Sequence, residues 1–151
     1  MLDDGGLRIL ELAGKGYCCS QVMIQLALDE MGRENPDLIR AASGLCMGFG
    51  DCSGPCGVYL GAAAVLGLYT GKGTDMEEAD HKLPLMQETL HDWFTEATAQ
   101  YGGIACRDIL GGDCGQPDQV KCGGLLSAAS EQVRRILLNN GVDPAEGREE
   151  G

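Results

Sequence analysis

The stretch Cys46-Met47-Gly48-Phe49-Gly50-Asp51-Cys52-Ser53-Gly54-Pro55-Cys56-Gly57-Val58-Tyr59-Leu60-Gly61-Ala62-Ala63-Ala64-Val65-Leu66-Gly67-Leu68-Tyr69 decides how the rest of the chain is read. Its first half is a glycine-rich turn carrying three cysteines, and its second half is an unbroken apolar run of mostly small residues. Glycine and proline supply turn conformations and end a preceding helix. Pro55 suits a first helical turn, which needs no amide donor there. Cys56 is then expected in that turn, where free N–H groups and the helix dipole favour a thiolate. Lowering a thiol pKa from about 8.5 to about 7 is worth roughly 2 kcal/mol to the anion. The run has no polar face, so the helix it forms must be buried. From Pro55 to Tyr69 it has 15 residues, short of the roughly 20 needed to span a bilayer. Gly57 and Gly61 are four apart, a spacing that lets helices approach closely. The expectation is an all-α fold, a single compact bundle of five to seven helices around this glycine-rich central helix.

The chain has 151 residues and a net charge of −12. That length suits one domain burying about 70% of its unfolded surface. The acidic balance argues against nucleic acid and anionic membranes as partners. The first residues, Met1-Leu2-Asp3-Asp4-Gly5-Gly6, lack an apolar h-region, so the expected compartment is the cytoplasm. There, eight cysteines point to metal binding or redox chemistry rather than a disulfide framework.

Outward from the central run, helices are expected over 7–13, 17–31 and 36–45, then over 75–101 with a kink at Pro84, 104–110 and 120–138. In the second part of 75–101, Leu85, Leu90, Phe94 and Ala97 are read as inward. The domain is taken as residues 1–142, with an acidic disordered tail over 143–151. On helical wheels Cys19, Cys56, Cys106 and Cys122 fall near helix starts and on or beside inward faces. Cys18, Cys46, Cys52 and Cys114 fall in turns or on polar faces. Cys18 is therefore expected to be more exposed than Cys19.

With that division made, the sequence resembles the small redox-active proteins named for a C–GCAxxG–C–C cysteine pattern, found largely in anaerobes. The resemblance rests on 16–22, on 42–50, on Cys56-Gly57-Val58-Tyr59-Leu60-Gly61-Ala62 with Leu66-Gly67-Leu68, on Cys106-Arg107-Asp108-Ile109-Leu110, and on Cys122. Gly57 stands where the pattern writes Ala, and Pro55 where it writes Gly. The four patterned cysteines map to Cys19, Cys56, Cys106 and Cys122. The resemblance implies a helical fold and a thiol-redox or electron-transfer role.

Three functional readings follow. In the leading one, Cys19, Cys56, Cys106 and Cys122 ligate a 2Fe-2S or 4Fe-4S iron–sulfur cluster for electron transfer. Zinc at the same four is an alternative. In the second, Cys52 and Cys56, in Cys52-Ser53-Gly54-Pro55-Cys56, act as a catalytic dithiol that forms its own disulfide. The partner is then a redox protein or another electron donor or acceptor, and a homodimer is compatible with such a carrier. In the third, Glu78, His81, Glu88 and His91 form two Glu-x-x-His motifs of the di-iron kind. Their spacing of ten residues favours solvated helix faces instead.

Overall fold

The structure, a computed structural model, describes residues 3–112, 114 and 118–148. Its centre is the predicted apolar helix, α4 (Gly57–Thr70). Val58, Gly61, Ala62, Val65, Leu66 and Tyr69 of this helix are buried. Around it stand α1 (Asp4–Gly14), α2 (Cys19–Met31), α3 (Pro36–Ala42), α5 (Leu83–Ala97), α6 (Cys106–Leu110) and α7 (Gln119–Asn139). The fold is all-α, with seven helices and no strand among the described residues. A helix with no polar face has to be enclosed, and α2, α5 and α7 enclose this one.

The tightest contact is with α2. A Cβ added to Gly61 would lie 2.8 Å from the Met23 Cβ and 2.9 Å from the Ser20 Cα. One on Gly57 would lie 3.3 Å from the Cys19 Cβ. The glycine pair thus meets α2 one turn apart, at Cys19–Ser20 and at Met23. Gly67, two turns further on, faces open space.

Local signals set the helix ends. Asp3, Asn35 and Asp118 cap α1, α3 and α7 with their side chains, accepting from amides that the helix leaves unpaired. Gly32 and Gly111 stop α2 and α6 in left-handed conformation. Two expectations need correction. Pro84 kinks nothing, because α5 begins at Leu83 and places the proline in its first turn, where a missing amide costs no hydrogen bond. That later start turns Leu85 outward, and Met86, Leu90 and Phe94 form the buried face. Near the C-terminus, Tyr69 donates to the Pro144 carbonyl at 2.6 Å. Arg148 donates to the carbonyls of Thr70 and Glu78. Residues 143–148 therefore run back over the end of α4; residues 149–151 of the expected tail lie outside the described ones.

The close contact yields a paired test. Gly61→Ala forces α2 and α4 apart and should destabilise the protein by about 1–3 kcal/mol. Gly67→Ala, with room for its methyl, should be neutral or stabilising by up to about 1 kcal/mol. Urea denaturation of both variants measures the difference, and equal midpoints would refute the close-packing argument.

Candidate functional site: a cavity lined by four free thiols

The cysteines divide by bonding. Cys18 is bonded to Cys46 and Cys52 to Cys114, whereas Cys19, Cys56, Cys106 and Cys122 are free. All four free thiols line one cavity of about 190 Å³. Its walls are otherwise mostly apolar, with Leu10 of α1, Val22 of α2, Ile109 of α6 and Leu126 of α7 among them.

Each thiol is placed by a different piece of backbone. Cys19 opens α2, and its Cβ lies against Gly57. Cys56 caps the start of α4. Its amide donates to the Ile104 carbonyl at 2.8 Å, and the Cys106 amide donates to the Gly54 carbonyl at 3.0 Å. This pair of bonds makes an antiparallel bridge between Pro55 and Ala105 and holds Cys56 beside Cys106. Cys122 lies in the first turn of α7, which Asp118 caps. Lys121 ties that turn to α6 through the Ile109 carbonyl.

Burial and mutual repulsion dominate the electrostatics. Cys56 is 5% exposed, and its burial pushes the thiol up to about 11. The Val58 and Tyr59 amides pull the other way but do not prevail. The expectation of a helix-start thiolate at Cys56 is therefore overturned, because desolvation outweighs the amides. Burial also raises Cys106. Cys19 and Cys122 form a pair. Interaction with the Cys19 thiol brings Cys122 down to about 7, against its own burial. Interaction with Cys122, followed by burial, raises Cys19. One proton is thus shared across the two sulfurs, an arrangement that favours ionisation on the Cys122 side.

The loop thiols behave differently from their sequence reading. Cys46 and Cys52 are both buried, and Cys52 is 0% exposed. They end a loop in which Met47, Phe49 and Cys52 all take positive φ, at 56°, 64° and 64°. Left-handed backbone costs a non-glycine residue about 1 kcal/mol or more and persists where surrounding structure holds it. Here a disulfide anchors each end. That turn aims Cys52 away from Cys56 and towards Cys114, so the expected Cys52–Cys56 bridge is replaced by Cys52–Cys114, with Cα atoms 5.9 Å apart. Cys18 and Cys19 are both half-buried, so the expected contrast in exposure does not appear at that level. Sequence reasoning missed Cys18, Leu10 and Met47 as cavity residues. The neighbouring Cys18-Cys19 pair was a usable signal for the first; nothing in the sequence links α1 to the site.

Among the described residues, no group of three or more His, Cys, Asp or Glu side chains is arranged to hold a metal ion. A single tetrahedral ion with metal–sulfur bonds of about 2.3 Å would need its sulfurs clustered around one point. His91 instead hydrogen-bonds Tyr59 through Nδ1 at 3.0 Å, and Glu78, His81 and Glu88 are exposed.

An all-α chain whose cysteines split into two disulfides and a four-thiol cavity belongs to a cysteine-redox class of small helical proteins. More specifically, the chain belongs to the family described as "Putative redox-active protein (C_GCAxxG_C_C)", whose pattern matches residues 17–136. Neither the comparison with curated proteins nor that with solved structures finds a match. No helix among the described residues is long and apolar enough to cross a membrane.

The thiol pair predicts a pH dependence. In metal-free protein, the alkylation rate of Cys122 should rise as pH increases through about 7, because only the thiolate reacts. Cys19→Ala removes the neighbouring donor and should move this rise to higher pH, slowing alkylation at pH 7 severalfold; Cys19→Ser, which keeps a donor, should move it less. Mass-resolved iodoacetamide labelling reads both, and identical profiles in all three proteins would contradict the pairing.

Proposed function

We propose that this chain is a redox protein that carries two electrons as a dithiol/disulfide couple between Cys19 and Cys122. The observation carrying this reading is that Cys19 and Cys122 lie in one apolar cavity wall and interact with each other there, which favours ionisation of Cys122. The Cys122 sulfur attacks a disulfide on a redox partner and expels one of its thiolates. Cys19 then attacks Cys122 in the mixed disulfide and expels the second. A thiolate and a thiol become one disulfide; two electrons and the Cys19 proton pass to the partner, whose second thiolate is protonated from solvent. Cys56 and Cys106, kept protonated by burial, line the cavity without competing as nucleophiles. Cys52 plays no direct part, being bonded to Cys114.

The arrangement of all four thiols around one cavity favours a second reading. Cys19, Cys56, Cys106 and Cys122 are soft donors on apolar walls, which suits an iron–sulfur cluster. Such a cluster would supply one-electron transfer. The helix starts behind the thiols would offset their negative charge. Zinc at the same four thiols would need them drawn around one point.

Oxygen-free purification separates the readings. Iron, zinc, acid-labile sulfide and free thiols are measured, and thiols are then mapped across graded dithiothreitol buffers. The dithiol reading expects little metal and reversible loss of two thiols at Cys19 and Cys122, abolished by Cys19→Ser or Cys122→Ser and retained in Cys52→Ser. Stoichiometric iron and sulfide, lost in Cys→Ser variants of all four cavity positions, would replace it with the cluster reading.

A further inference from the structure

Of the two disulfides, only one opens on the thiol cavity. Cys18 is part of the same cavity wall as Cys19 and Cys122. Its partner Cys46 lies outside the lining and is 9% exposed. Cys52 and Cys114 are both absent from the cavity wall, which suits a purely structural clamp. The Cys18–Cys46 bond therefore has one cysteine in the cavity wall and the other buried outside it.

The buried sulfur has a proton donor next to it. Ser20 is 0% exposed. Its Oγ lies 2.8 Å from the Cys46 Sγ and donates to the Ala42 carbonyl at 2.7 Å. A hydroxyl so placed can turn its hydrogen towards a thiolate appearing on Cys46. If Cys46 is instead a thiol, its S–H can donate to the same oxygen or to the Ala42 carbonyl, 3.9 Å away. Either reduced form of Cys46 thus has a hydrogen-bonding partner already in place. Stabilising a departing thiolate speeds exchange at the other sulfur of the bond.

We propose that the Cys18–Cys46 disulfide is a second redox couple, exchanging electrons internally with the Cys19/Cys122 couple of the proposed function, on which this inference rests. Cys122 is the attacking group, and Cys19 is excluded from that step. Neighbouring Cα atoms are 3.8 Å apart, closer than the 4.4–6.8 Å that disulfides span. The Cys122 sulfur forms a bond to the Cys18 Sγ, and the pair of electrons of the Cys18–Cys46 bond leaves on Cys46. Cys19 then attacks Cys122, Cys18 departs, and the proton released by Cys19 is taken up by one of the two freed sulfurs. The sum is exchange of one disulfide for another: Cys19–Cys122 forms, and two electrons move to Cys18 and Cys46. The one proton from Cys19 leaves one of them a thiol and the other a thiolate, which Ser20 faces on the Cys46 side or which takes a proton from solvent. The pair acts as a store for electrons collected in the cavity, and it reaches the strained loop that begins at Cys46.

A trapping experiment decides the matter. In Cys19→Ser/Cys46→Ser, Cys18 and Cys122 have lost their usual partners; diamide oxidation followed by peptide mapping should give a Cys18–Cys122 bond in most molecules. Far-UV circular dichroism and an intact Cys52–Cys114 bond check the fold. Should that variant not fold, Cys46→Ser alone serves. There Cys122 partitions between Cys18 and Cys19, and any substantial Cys18–Cys122 product supports the proposal. Cys18 left free while Cys122 is oxidised elsewhere or not at all overturns it. The parent reading is judged separately in Cys18→Ser/Cys46→Ser, where Cys19–Cys122 must still form on oxidation. Failure there sinks the cavity couple, whereas success there with no Cys18–Cys122 bond in the trap sinks only the internal exchange.

Discussion

The close approach of α4 to α2 is the constraint on which the site depends. Two helices meet without intervening side chains where Gly57 and Gly61 face Cys19, Ser20 and Met23. Any larger residue at Gly61 would hold the helices apart, and with them the starts of α2 and α4. Those starts carry Cys19 and Cys56. The packing of the core and the convergence of the thiols are thus one feature. The cavity left between the helix starts is closed by α1, α6 and α7, which bring apolar side chains and the other two thiols.

Much of this was legible in the sequence because it rests on local pattern. An apolar run with no polar face had to be central, and helix-start positions with helical periodicity put Cys19, Cys56, Cys106 and Cys122 on or beside inward faces. What could not be read depends on backbone geometry or distant partners. The Cys52–Cys114 bond joins residues 62 apart in sequence. It follows from a loop whose left-handed residues include the non-glycines Met47, Phe49 and Cys52, a conformation that propensity argues against. The start of α5 was misplaced because Pro84 reads equally as a kink or as a first-turn residue.

The thiol chemistry shows which of two physical effects prevails. A helix start favours a thiolate, and burial opposes it. At Cys56, nearly enclosed, burial is larger. At Cys122, half-buried and faced by the Cys19 thiol, the neighbour is larger. The same fold therefore holds three reluctant thiols, Cys19, Cys56 and Cys106, and one reactive one, Cys122, in a single cavity. Cys18 and Cys19, adjacent in sequence, are divided between a disulfide and the reactive pair, so the start of α2 is where the two sets of cysteines touch.

That the two sets exchange only through Cys18, with Cys52 kept on Cys114, is the claim most open to direct contradiction. A disulfide map of the folded protein, taken by peptide mass spectrometry after graded oxidation and acid quenching, tests it. The account predicts Cys52 bonded to Cys114, Cys18 bonded to Cys46 or Cys122, and the remaining oxidation confined to Cys19 with Cys122. A Cys52–Cys56 bond in the folded protein would contradict it.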